Sequence, residues 1–232
     1  MFSMKLLVAT RADSNIKAMT DITHPLIQSY CKKIGADFKV LAQDSECKEG
    51  KRKNHYRITA IKELLEEYDR VLSIDSDVVI NKTCPDIFKE TPEDCIGTIF
   101  EDKGSRAAAR HSRISKIQGV YGDVGWRTGY INTGVFVVSK NHKNIFNSIN
   151  DSFWLGEGED DVHIGFNIHK LNLKIHELSF KWNHMTMFSE GWNNCADRFS
   201  SFIIHYAGQG KFNQNSRLSQ IKFDKEKIWG VS

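Results

Sequence analysis

The run Arg70-Val71-Leu72-Ser73-Ile74-Asp75-Ser76-Asp77-Val78-Val79-Ile80 is the most β-branched stretch of the chain, and it carries two carboxylates in its middle. A segment this apolar is expected to be an interior strand, covered on both faces as the strands of parallel sheets are. Two carboxylates separated by one residue at the end of such a strand point to the same face. Side by side next to a core they repel each other and lose hydration, a cost that a shared divalent cation relieves. The same pattern also serves to cap a turn or the following helix, so the pair alone leaves both readings open.

The flanking sequence supplies the context. Lys5-Leu6-Leu7-Val8-Ala9-Thr10 is a short apolar run, residues 15–34 read as a helix, and Gly35 suits the position just past its end. Residues 37–42 alternate like a strand. Tyr56, Ile58, Ile61, Leu64, Leu65 and Tyr68 then recur at helical spacing. Strand, helix, strand, helix, strand opens an α/β fold with a buried parallel sheet. Further strands are expected at 95–100, 130–138, 174–180 and 201–205, and a short helix at 161–171, with the least regular stretches at 43–54, 101–127 and 181–200. No repeat or linker divides the 232 residues, and a chain of this size buries roughly 70% of its unfolded surface as one domain. Ligands of open α/β sheets lie beyond the carboxyl ends of the strands, where Asp75 and Asp77 fall.

A second apolar strand ends in chemistry. Ser201-Phe202-Ile203-Ile204-His205-Tyr206-Ala207-Gly208-Gln209-Gly210-Lys211 runs from β-branched residues into a histidine, two glycines and a lysine. His205 with Asp75 and Asp77 makes a mixed oxygen and nitrogen ligand set, which suits Mn²⁺ better than Mg²⁺. Gly208 and Gly210 let the backbone approach a phosphate, and Lys211 offers it a point charge. Alternatively, His205 is a hydrogen-bonded packing residue.

Charge excludes some partners. A formal charge of +3, from 32 Lys and Arg against 29 Asp and Glu, is too small for bulk attraction to nucleic acid. One local island exists, Lys103, Arg106, Arg110, Arg113 and Lys116, with no acid among its members. Spacings of 3, 4, 3 and 3 place them on one face if the segment is helical. That face is either simply solvated, or a mobile cover for bound phosphates, or a contact for an anionic partner or a membrane surface through residues 103–116. Trp126-Arg127 beyond it offers an aromatic that stacks on a sugar. The cysteines Cys31, Cys47, Cys84, Cys95 and Cys195 show no zinc-ligand or CxxC spacing and read as reduced thiols. The first apolar run is too short for a signal peptide, and no stretch approaches the ~20 apolar residues of a membrane span. A soluble, cytoplasmic protein is expected.

Three motifs, in order, resemble metal-dependent glycosyltransferases of the GT-A fold, and most closely glycosyltransferase family 8 and the glycogenin-like group. Tyr68 to Ile80 resembles that group's DxD strand, Tyr130-Ile131-Asn132-Thr133-Gly134-Val135-Phe136-Val137-Val138 its asparagine and glycine motif, and His205-Tyr206-Ala207-Gly208-Gln209-Gly210-Lys211 its HxxGxxK. The resemblance implies a single Rossmann-like domain over residues 1–232 with a mostly parallel mixed sheet, its nucleotide-binding part at about 1–100 and its sugar and acceptor part at about 101–232. It implies that Asp75, Asp77 and His205 ligate Mn²⁺, with Mg²⁺ as a substitute, and that Gly208 and Lys211 hold the donor diphosphate. Ser76 falls near the ribose, Thr10 and Arg11 near the base and ribose, and Arg57 near the donor sugar or phosphate, unless it is a solvated helix charge. Asn132 resembles a sugar-contacting amide, or is a turn residue. Asp160 and Asp161 fall where the family has a Gln-Asp pair facing the reacting sugar. The departure from Gln leaves open which of the two faces it, and at least one of them caps the following helix. Lys181-Trp182-Asn183-His184 resembles a short motif of the sugar or acceptor pocket, though Trp182 is equally a core residue.

The expected reaction is transfer of a hexose from a nucleotide diphosphate sugar, a UDP-sugar, to a hydroxyl of a glycan, glycoprotein or glycolipid. Resemblance implies retention at the anomeric carbon; under inversion Asp160 or Asp161 would be a general base. Two other readings compete. One is a haloacid-dehalogenase-like phosphatase using Asp75 and Asp77, in which the motif normally lies on the first strand and the HxxGxxK ending has no role. The other is a nucleotide-sugar-binding protein without turnover.

Overall fold

The structure is a computed structural model and describes residues 4–42, 53–185, 195–207 and 214–230. The chain opens with β1 (Leu6–Ala12), α1 (Lys17–Ile34), β2 (Asp37–Ala42), α2 (Lys53–Glu67) and β3 (Arg70–Ile74). This is the alternation the apolar pattern predicts, and Gly35 takes the left-handed conformation (φ 69°) that ends α1. There follow β4 (Val78–Ile80), α3 (Ile87–Glu90), β5 (Cys95–Thr98), α4 (Ala107–Tyr121), β6 (Val135–Ser139), α5 (Glu159–Lys170), β7 (Lys174–Glu177), β8 (His184–Met185), β9 (Ile203–His205) and α6 (Gln214–Trp229).

Six strands form the central sheet in the order β2-β1-β3-β6-β5-β7. β1 is parallel to β2 and β3, β5 is parallel to β7, and β6 runs antiparallel between β3 and β5. The result is a mixed, mostly parallel sheet covered on both faces. Val8, Leu72 and Val137 enter one apolar cluster with α1. Their chain neighbours Leu7, Val71 and Phe136 enter the cluster under α2 and α5. Alternation along each strand therefore feeds two cores at once, which is why these strands are apolar throughout.

The run from Arg70 to Ile80 is two strands. β3 belongs to the central sheet and ends at Ile74, whereas β4 belongs to a second sheet of order β4-β9-β8. The chain changes sheets across Asp75-Ser76-Asp77. The two carboxylates thus occupy a turn rather than one face of a strand, and their convergence comes from the turn.

Two helices escape the apolar pattern for one reason. Within the supposedly irregular 101–127, α4 buries only Arg110, Ile114 and Ile117. α6 lies beyond every expected element, and of its described side chains only Ile221 and Asp224 are fully buried. Stripes this narrow carry almost no periodic signal.

α6 is fastened by Asp224, which is wholly buried. Its carboxylate accepts from Arg198 Nε and Nη2 at 2.7 and 2.9 Å, from the Tyr206 hydroxyl at 2.5 Å and from Gln220 at 2.7 Å. Tyr206 directly follows His205, so this network also fixes the end of β9. Replacing Asp224 with Ala leaves a cation and a phenol unmatched and is expected to cost about 3 kcal/mol in urea unfolding; a loss below about 1 kcal/mol would show the network to be ornamental.

Candidate active site

Three polar side chains meet where β4 leaves the Asp75-Ser76-Asp77 turn. β4 pairs antiparallel with β9 so that Val78 stands opposite His205, and the Tyr206 amide donates to the Asp77 carbonyl at 2.9 Å. That register delivers the imidazole to the turn. His205 Nε2 lies 3.4 Å from Asp75 Oδ2 and 3.3 Å from Asp77 Oδ1, and one ligand atom from each residue falls within 4.8 Å of the others. Burial of His205 opposes its charge, but the Asp77 and Asp75 carboxylates outweigh it and raise its pKa to about 10. A proton holds the carboxylates together where a divalent ion fits. Two oxygens and one imidazole nitrogen converging on one point form a donor set suited to such an ion.

The surrounding backbone is built close. A Cβ placed on Gly134 would lie 2.5 Å from His205 Cε1 and 2.9 Å from both Asp75 Oδ2 and Asn132 Oδ1, so no larger residue fits there. The Gly134 carbonyl accepts from the Asp75 amide at 2.9 Å. The asparagine and glycine motif is therefore the wall of the cluster. Behind it, His205 Nδ1 meets Asn183 Oδ1 at 2.8 Å, Asn183 Nδ2 donates to Asn132 Oδ1 at 2.7 Å, and Asn132 Nδ2 donates to Glu101 Oε1 at 2.5 Å. On its other side, the Asp77 carboxylate faces Arg217 of α6 at 3.5 Å.

The residues expected near the nucleotide lie against the same turn. Thr10 and Ser76 are both buried, their hydroxyls 3.0 Å apart, and Ser76 donates to the Arg11 carbonyl at 2.5 Å. These bonds tie the turn to the end of β1. Arg57 belongs to α2, but its side chain lies outside the described residues, as do Gly208, Gly210 and Lys211.

Asp160 and Asp161 begin α5, which starts at Glu159, two residues earlier than its apolar pattern predicts. Asp161 Oδ1 accepts from the Thr133 amide at 2.8 Å and from its hydroxyl at 2.7 Å, while Asp160 Oδ2 lies 3.0 Å from that hydroxyl. α5 is thereby pinned to the Asn132-Thr133-Gly134 loop. Burial, and then the Asp160 and Glu101 carboxylates, raise the Asp161 pKa well above the usual carboxylate range. Both acids line a cleft of about 580 Å³ that runs along the segment from Leu155 to Asp161.

Other expectations are corrected. The basic island does lie largely on a helix, yet its cations face carboxylates. Lys103 pairs with Glu177, Arg106 and Arg110 with Glu101, and Arg113 and Lys116 with Glu157. Charges matched in this way give no support to membrane contact through 103–116. Trp126 is fully buried and stacks on His169 and Tyr130, which makes it a core residue and not a sugar platform. Trp182 is likewise core, packed on Phe202. The four described cysteines are free, and burial pushes the Cys31 and Cys84 thiols up to about 12. Among the described residues, no helix is long and apolar enough to cross a membrane. Glu101, Arg217 and Asp224 carry roles that no spacing announced, and Asn183, expected in a sugar or acceptor pocket motif, instead meets His205 and Asn132.

With this geometry in view, comparison with known proteins decides the family. The profile of glycosyl transferase family 8 matches residues 2–213. The chain belongs to glycosyl transferase family 8. No curated protein sequence is significantly similar to it. Similar solved structures include a glycosyltransferase involved in glycosylation of the major capsid of the virus PBCV-1, at 15% identity and TM-score 0.59 over 93% of this chain and 99% of that one. The galactosyltransferase LgtC, solved with donor and acceptor sugar analogues, matches at 14% identity and TM-score 0.56 over 97% of both chains. A mutant Drosophila β-1,4-galactosyltransferase 7, solved with manganese, UDP-Gal and xylobiose, matches at 12% identity and TM-score 0.52 over 93% of this chain and 79% of that one. The fold is that of GT-A glycosyltransferases, and the phosphatase reading falls with it: the two aspartates follow the third strand of the sheet, not the first.

Two outcomes follow for this family 8 site. His205 holds a proton up to about pH 10, so an Mn²⁺ ion bound by this cluster would have to displace it, and its dissociation constant measured by calorimetry should then fall about tenfold per pH unit between about pH 6 and 8. In the ion-free protein the same proton contributes stability that is full below about 6.5 and lost as the pH rises through about 10. A Mn²⁺ affinity indifferent to pH would contradict the protonated triad. The Gly134→Ala methyl would occupy the space of the imidazole and the Asp75 carboxylate, so this variant should fold yet lose Mn²⁺ binding in the same titration.

Proposed function

We propose that the protein transfers a hexose from a UDP-sugar to a hydroxyl of a glycan, glycoprotein or glycolipid acceptor, with retention at the anomeric carbon and with a divalent ion, Mn²⁺, held by Asp75, Asp77 and His205. The observation that carries this reading is the convergence of those three side chains beyond the carboxyl end of β3. Membership of family 8 makes that end of the sheet the place where donor chemistry is expected. The mixed oxygen and nitrogen set favours Mn²⁺ over Mg²⁺, and a structural relative carries manganese with UDP-Gal.

The difficult step is departure of the nucleoside diphosphate, as negative charge grows on the oxygen that bridges phosphate and sugar. A bound divalent ion supplies Lewis-acid stabilisation of that charge. The chain's own residues prepare for it. Asp75 and Asp77 fix the position of the ion, His205 completes the set, and the Gly134 backbone closes the wall without a side chain. Lys211 and Gly208, outside the described residues, are assigned to the diphosphate through their HxxGxxK spacing. The bonds of Thr10 and Ser76 hold the turn on β1, where Arg11 is assigned to the nucleotide and Arg57 to the donor sugar or phosphate. Asn132, expected at the sugar, spends its amide on Glu101, Gly134 and Asn183, so its part in the proposal is to support the wall of the cluster.

Of the two acids, Asp160 is assigned to the reacting sugar. Oδ1 of Asp161 already accepts from two groups of Thr133, so Asp161 positions the loop that Asp160 works beside. Asp160→Asn should lower kcat for donor turnover by about 100-fold or more with little change in donor affinity, whereas Asp161→Asn, near-isosteric with a carboxyl that already favours its protonated form, should change kcat far less. Equal losses for both would contradict the assignment.

The reading is tested by thermal unfolding with a panel of nucleotide sugars, with and without Mn²⁺. A donor at ~100 times its dissociation constant adds about 2.7 kcal/mol. Stabilisation by a UDP-sugar that needs Mn²⁺ and vanishes in Asp77→Ala, together with slow release of UDP, supports a transferase. Stabilisation without any UDP release under acceptor supply would mean binding without turnover, and no response to any nucleotide sugar would sink the reading.

A further inference from the structure

The amide chain behind His205 has a polarity that its two ends determine. The Gly134 backbone amide lies 2.9 Å from Oδ1 of Asn132, and a backbone N–H can only donate, so the Asn132 atom there is its oxygen. Its amide nitrogen therefore faces Glu101 Oε1, an acceptor. The second oxygen of Glu101 receives Arg106 and Arg110 from the start of α4, which keeps that carboxylate in one orientation. Asn183 also meets the Asn132 oxygen, so it must present its own nitrogen there, and its oxygen is left against His205 Nδ1 at 2.8 Å. That oxygen can only accept, so Nδ1 carries hydrogen.

The consequence reaches the cluster. A neutral imidazole with hydrogen on Nδ1 has its lone pair on Nε2, and Nε2 is the atom that faces Asp75 and Asp77. We propose that Asn183 is a positioning residue for metal capture: oriented by Glu101 through Asn132, it sets the tautomer and ring orientation of His205 so that Nε2 is the nitrogen offered to the ion. The inference rests on the proposed metal site and adds what prepares it. All four links are buried, with Asn183 1% exposed, His205 2%, Glu101 4% and Asn132 8%, so water does not supply an alternative partner and each bond depends on the next. The chain also assigns a purpose to the α4 arginines: they orient the far end of the relay.

A role confined to packing is separated from this one by spectroscopy and by a conservative variant. In protein carrying ¹⁵N-labelled histidine and loaded with diamagnetic Zn²⁺, His205 should show a protonated, pyrrole-type Nδ1 and a coordinated Nε2. Asn183→Leu keeps the volume but offers no acceptor, and should weaken Mn²⁺ binding, read by electron paramagnetic resonance without any donor, by about 10- to 100-fold. Asn183→Asp keeps an acceptor toward Nδ1 but sets its second oxygen against the Asn132 oxygen, and should bind Mn²⁺ more weakly than the wild type yet more tightly than Asn183→Leu. Mn²⁺ binding by Asn183→Leu equal to the wild type, or coordination through Nδ1 in the wild-type spectrum, would overturn the relay while leaving the metal site standing. A wild type that takes up no divalent ion would overturn both. The wild-type spectrum needs no variant and decides the matter even if Asn183→Leu does not fold.

Discussion

The site depends on the antiparallel pairing of β4 with β9, in which Val78 stands opposite His205, Val79 opposite Ile204 and Ile80 opposite Ile203. These strands are three residues each and fully buried, so a register slip would move apolar side chains to the wrong face. Register therefore fixes where the imidazole arrives. The other half of the constraint is that β3 ends at Ile74 and hands the chain to a second sheet at Val78. The two carboxylates have to turn there, between the end of β3 and the start of β4.

Electrostatics then completes what register begins. Two carboxylates and a buried imidazole would be costly if each stood alone; together they share a proton that the carboxylates hold up to about pH 10. Such a cluster is poised for a cation of higher charge. Its rigidity comes from neighbours outside the three side chains: the bare backbone of Gly134, the Asp161 to Thr133 bonds that pin α5 to the same loop, and the Asp224 network that secures Tyr206. Preorganisation of this kind is what lets a site stabilise developing charge without paying to reorganise.

Much of the scaffold was legible because it follows from side-chain type and period. The strands β1, β2 and β3 and the helices α1 and α2 are marked by apolar repeats, and Asp75, Asp77 and His205 by polar residues interrupting apolar runs. What was hidden is long-range. α4 and α6 bury stripes too narrow to register as amphipathic. The basic residues from Lys103 to Lys116 resembled a cationic face because their partners, Glu101, Glu157 and Glu177, lie on other segments. Asn183 was marked only as part of a motif resembling a sugar or acceptor pocket, and its link to His205 stayed hidden because it lies in contacts with residues 51 positions before it and 22 after. The single strand expected over Arg70 to Ile80 failed because apolar content predicts burial and says nothing of which sheet does the burying.

The most direct test of the account is anomalous diffraction from crystals grown with Mn²⁺ and UDP, with data collected on both sides of the manganese edge. The account predicts one strong peak bonded to carboxylate oxygens of Asp75 and Asp77 and to Nε2 of His205, with the diphosphate on the same ion. A peak held by other residues, or a nucleotide bound at this turn with no anomalous signal beside it, would contradict the claim that these three side chains form the metal centre.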